Sequence, residues 1–104
     1  MGVDVVLETE RGDRIDVVAD PGGVIARVAG VAHGDAGFRL LGYIDPYGDA
    51  VFNALQLDDL LNDLERVSAE AWTADERVVM ERVKALVWRC KDAQPHVYIR
   101  FIGD

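Results

Sequence analysis

The sequence predicts an α+β fold: an antiparallel sheet of four to five strands with two consecutive amphipathic helices packed on one face. Three observations predict it. Apolar and polar residues alternate with period two near the start of the chain, and again at its end. Between them lie two 3.6-residue stripes, each opened by a capping signal. Strands gathered early, then two helices, then one last strand give the order β-β-(α or β)-β-β-α-α-β, which is α+β and not alternating α/β. No linker, repeat or low-complexity stretch interrupts the pattern, so a single domain is expected over residues 1–104.

Val3, Val5 and Leu7 alternate with Asp4, Val6 and Glu8; Ile15, Val17 and Ala19 alternate with Asp16, Val18 and Asp20. These are two half-buried strands, joined as a hairpin by Glu10-Arg11-Gly12-Asp13, where Gly12 can supply a positive φ. Asp20-Pro21-Gly22-Gly23 is a turn signal. Residues 24–31 fit a helical face through Val24, Ile25, Val28 and Val31, or else a short strand. His33 to Gly37 reads as loop, and Phe38 to Ile44 as a strand by its aromatic and β-branched content. Asp45-Pro46-Tyr47-Gly48 is β-turn sequence, with Pro pre-set for the second position. A return strand through Ala50, Val51 and Phe52 is expected to pair back on the Phe38 strand.

Asn53 and Gln56 then form a capping box, and Phe52 and Leu57 a hydrophobic staple. Leu57, Leu60, Leu61, Leu64 and Val67 supply the buried stripe of the first helix. Thr73 to Glu76 is a second capping box, opening a helix that buries Val79, Val83, Leu86, Val87 and Cys90. Lys91 suits the negative end of its dipole, and Pro95 ends the pattern. Val97, Ile99 and Phe101 alternate with Tyr98, Arg100 and Ile102 in a last strand, which either completes an edge or inserts between earlier strands.

Composition narrows the function. Half of the residues are apolar, too many for a disordered chain. No apolar run approaches the ~18 residues of a membrane span. The opening Met-Gly-Val-Asp is acidic where a signal peptide is basic, and one cysteine forms no internal disulfide, so a cytoplasmic location is expected. Phosphate-loop and dinucleotide glycine patterns are absent, and Ser68 is the only serine, which rules out a Gly-x-Ser-x-Gly hydrolase. Cys90 continues an apolar stripe and reads as a buried, inert thiol, not as a partner for His96. One cysteine and two histidines lack the paired spacing of a zinc site. No catalytic residue, metal or cofactor is assigned.

The net charge of −8 argues against nucleic acid as a ligand. It is unevenly spread: residues 1–76 hold 16 acids and 5 bases, net −11, and residues 77–104 hold 3 acids and 6 bases, net +3. The second helix, basic through Arg77, Arg82, Lys84, Arg89 and Lys91, is expected to lie beside the acidic first helix and neutralise part of it. From Leu40 to Glu65 there is no Lys or Arg against six acids. Asp45 has turn chemistry, Asp58 and Asp59 suit a helix N-terminus, and Asp63 is read as solvent-facing. The missing counter-charge has no such account. Asp45, Tyr47, Asp49, Asp58, Asp59 and Asp63 are therefore the candidate binding surface. Tyr47 is expected at an exposed turn tip and Tyr43 in the core, while an exposed Trp88 would be a further sign of a partner.

Two stretches, Tyr43-Ile44-Asp45-Pro46-Tyr47-Gly48-Asp49-Ala50-Val51-Phe52-Asn53 and His96-Val97-Tyr98-Ile99-Arg100-Phe101-Ile102-Gly103-Asp104, resemble segments of small uncharacterised bacterial proteins. The resemblance implies a free-standing bacterial protein and brings no activity with it.

The expected function is that of a non-enzymatic, acidic binding protein, immunity- or inhibitor-like, which masks the surface of a basic protein partner. The alternatives are a small metal-dependent or Asp/His-based enzyme using Asp45, Asp49 and His96 or His33, and a self-associating homo-oligomer whose strand edge or helix face is its own partner.

Overall fold

Strands β1 (Val3–Thr9) and β2 (Arg14–Val18) form the expected hairpin, with Gly12 at φ 88° in the turn. A bulge between Leu7 and Glu8 sets Glu8 opposite Arg14 and leaves Ile15 as the extra residue. The computed structural model describes residues 2–20, 22–33, 37–45, 47–68 and 73–103. Pro21, Pro46 and residues 34–36 of the expected loop lie outside that set.

Residues 24–31 belong to a helix, α1 (Val24–His33). Val24, Ile25, Val28, Ala29 and Ala32 are its buried side, whereas Val31 faces solvent. Its start is held by Asp20, whose Oδ2 accepts the N–H groups of Ile25 and Ala26 at 3.1 and 3.2 Å and that of Val3 at 3.0 Å. One carboxylate thus satisfies two orphan donors of a helix and ties that helix to β1.

The segment Phe38 to Ile44 is not a strand. It bends into a 3-10 turn at Leu41–Tyr43. Three successive N–H groups, those of Arg39, Leu40 and Leu41, donate to the Asp63 carboxylate at 3.1, 2.6 and 3.0 Å. A strand would aim alternate N–H groups to opposite sides; converging all three on one acceptor bends the backbone. Leu41 and Ile44, three apart, are then buried, while Tyr43 is 74% exposed and so not a core residue.

Strand β3 (Asp49–Phe52) consequently has no Phe38 strand to return to. It pairs instead with β4 (Val97–Gly103), which inserts between β1 and β3 and gives the antiparallel order β2-β1-β4-β3. Both capping boxes form. Asn53 and Gln56 open a 3-10 turn at Ala54–Gln56 that runs into α2 (Leu57–Ser68), and Thr73 and Glu76 open α3 (Ala74–Asp92).

The helices pack on one face of the sheet. Val3, Val5, Leu7, Ile99, Phe101 and Phe52 meet the stripes of α1, α2 and α3 in one apolar core, with Phe52 edge-on to Phe101 at 5.7 Å. Every residue of the two predicted helical stripes is buried. The other face is the row Val17–Val6–Arg100–Val51 and its neighbours. Val6 is buried but lies outside the core. No helix of the described residues is long and apolar enough to cross a membrane.

Candidate functional site

The predicted surface does not form one patch. Asp63 is 4% exposed and is the structural acceptor just described, so it is withdrawn from the surface. Its place at the seventh position of α2, beside the Leu60 and Leu64 layer, buries it; only the three converging N–H groups make that tolerable. Asp45 accepts the N–H of Tyr47 at 2.8 Å within its own turn, and Gly48 N–H donates to Asp45 O at 3.2 Å. Tyr47 is exposed as expected. Asp49 accepts from Arg100 Nη1 at 3.2 Å on the open sheet face. Asp58 and Asp59 start α2 at the far end of β3. A strand of four residues sets the Tyr47 turn and the α2 start about 13 Å apart.

Around Asp58 a different cluster assembles. Lys91 Nζ donates to Asp58 Oδ1 at 2.6 Å and lies 4.8 Å above the ring of Trp88, one turn back on α3. Trp88 sits two positions from Leu86 and Cys90, off the buried stripe, and is 51% exposed. Leu55, one turn before Asp58, is 91% exposed. Asp92, four residues after Trp88, is exposed, and Asp59, next to Asp58, is half-buried. An ion pair and a cation–π contact thus hold an aromatic ring at the surface. Lys91, itself partly used up by Asp58 and Trp88, leaves the negative end of α3 and the acids Asp59 and Asp92 to set the local sign.

A second ion pair joins α2 and α3. Lys84 Nζ meets Glu65 at 3.1 Å and Glu81 at 2.7 Å. Burial alone would lower its pKa, and hydrogen bonds to Glu81 and Glu65 outweigh this and raise it. The basic helix therefore does neutralise part of the acidic one. On the sheet, Arg100 Nε donates to the buried Glu8 at 2.6 Å, and that bond raises the pKa of the guanidinium against its desolvation.

The two histidines make separate contacts. His33 Nε2 lies 2.8 Å from Ile44 O, and His96 Nδ1 lies 3.0 Å from Glu10. Asp49 pairs with Ile102 across the sheet, six positions along β4 from His96 and about 20 Å away at strand spacing. Cys90 is fully buried with Gln94 Nε2 at 3.5 Å, and burial raises its thiol pKa. Among the described residues no group of three or more His, Cys, Asp or Glu is placed to hold a metal ion. Two shallow hollows stand out among the described residues. One, of about 240 Å³, lies between β2 and α3 beside Arg82 and Arg89; the other, of about 320 Å³, lies at the hairpin end of the open face beside Glu8, Arg11, Tyr98 and Arg100.

No protein-family model, no curated protein and no solved structure matches the chain. Sequence reasoning put Asp58 and Asp59 on one surface with Asp45, Tyr47, Asp49 and Asp63, and it included neither Lys91 nor Leu55. The signal available for Leu55 was its place outside the α2 stripe, in the turn that follows the Asn53 cap.

Proposed function

We propose that this chain is a non-enzymatic binding protein whose α2–α3 surface docks a basic protein partner, masking it as an inhibitor or immunity protein does. The observation that carries the reading is Trp88: a large aromatic side chain left half exposed and fixed in place by Lys91. Tryptophan is enriched among the residues that dominate binding energy, and a pre-positioned ring loses little freedom on docking. Leu55, three residues before Asp58, supplies exposed apolar area at the start of α2, and Asp58, Asp59 and Asp92 supply acidic charge. Rim charges of one sign raise association rates toward a partner of the other sign and make them sensitive to salt. Asp45, Tyr47 and Asp49 lie outside this surface in the proposal. The same reading includes a cytoplasmic location, supported by the single cysteine.

Affinity capture from bacterial lysate with the immobilised protein tests it, run in parallel with Trp88→Ala and at low and high salt. The expected result is a basic protein held by the wild type at low salt, released at high salt, and lost by about 100-fold in affinity with Trp88→Ala, the size of a hot-spot truncation. Identical captures by the wild type and Trp88→Ala would overturn the assignment of the surface.

A further inference from the structure

The open face of the sheet lies in the opposite layer from Trp88, and it is unlike the rest of the molecule. Outward positions of a one-sided antiparallel sheet are ordinarily polar. Here Val17 and Val51 are 44% and 45% exposed, Ile15 is 43% exposed, and Tyr98 and Ile102 are half-buried. The charges among them nearly cancel: Asp4, Glu8 and Asp49 stand against Arg14 and Arg100, net −1 in a chain of net −8. Two of those acids are already engaged by Arg100.

We infer that this face binds a second copy of the chain, sheet against sheet, to form a two-fold dimer. The register supplies the argument. A two-fold axis parallel to the strands, between β1 and β4, lays β2 of one copy over β3 of the other and keeps each cross-strand row in line. Val17 then packs on Val51 of the second copy, and Val51 on its Val17. Glu8 faces Tyr98, whose hydroxyl is a donor, and Asp4 faces Ile102, so neither acid opposes an acid. Aligned packing of two sheets about 10 Å apart is a common solution for such faces. The strand edges are poorer candidates: β2 carries a bulge and charged residues, and β3 has four residues, both features that discourage edge pairing. The strands have 7, 5, 4 and 7 residues, and at ~3.4 Å by ~4.8 Å each they give a projected footprint of about 380 Å² per copy, about half of a standard interface, so the dimer is reversible and concentration-dependent.

Light scattering on the eluting protein over roughly 5 to 200 μM, a range suited to a small interface, tests the inference. The expected mass climbs from 11.5 kDa toward twice that value. Val51→Lys stays at the monomer mass with an unchanged circular dichroism spectrum. Trp88→Ala still dimerises, which separates this face from the α2–α3 surface. Val17→Lys, at the position that Val51 meets across the two-fold axis, stays at the monomer mass as well. A monomer mass at every concentration, or a dimer that Val51→Lys leaves intact, overturns the inference.

Discussion

Asp58 and Asp63 are five residues apart on α2, carry the same side chain, and do opposite things. Asp58 holds Lys91 in an exposed pair, and such pairs contribute about 0.5 kcal/mol or less. Asp63 is buried and accepts three N–H groups, each of which would lose its partner if the carboxylate were removed. Asp63→Ala is therefore expected to destabilise the fold by about 3 kcal/mol in urea titrations, and Asp58→Ala by a few tenths. Equal effects would remove the Asp63 carboxylate from its structural role. Sequence pattern alone could not separate the two. Asp63 lies next to the Leu stripe in angle, and what decides its burial is the 39–41 backbone, more than twenty residues earlier.

At the level of elements, the readable features are those whose causes are local. The hairpin, both capping boxes and both helical stripes depend on residues within one turn of each other, and all are present. Thr73 shows the local kind well: its side chain accepts Glu76 N–H at 3.2 Å, and Glu76 returns a bond to Thr73 N–H at 2.9 Å. Thr73→Ala is expected to cost about 1 kcal/mol in thermal or denaturant unfolding, the usual loss for an N-cap. The Phe38–Ile44 segment shows the other kind. Its composition is strand-like, yet a carboxylate from α2 gathers its N–H groups and a tertiary contact overrides propensity. The same holds for the candidate surface. Asp58 and Asp59 were legible from the missing counter-charge, but Lys91 supplies that charge from another helix, and the site's aromatic centre comes from α3.

The whole molecule is a two-layer sandwich of helices on a sheet, and its stability is expected to fall at alkaline pH. Cys90 keeps its proton more tightly folded than unfolded because burial raises its pKa, and Lys84 does so through Glu81 and Glu65 despite burial. For both groups the stabilisation is complete below the unfolded pKa, about 8.5 for the thiol and 10.4 for the amine, and is lost as pH rises through the higher folded value. Melting temperatures measured from pH 7 to pH 11 should hold until about pH 8.5 and then decline. Cys90→Ala should flatten the first part of that decline. Strand β4 has a different consequence, in time. It sits inside the sheet but follows β1, β2 and β3 in sequence, so during synthesis the β1–β2 hairpin and β3 wait for the strand that lies between them. At about 5–20 residues per second the nascent chain waits several seconds with an unpaired, valine-rich β1 edge. That interval is when β1 can pair with the wrong chain, and it closes when residues 97–103 slide in.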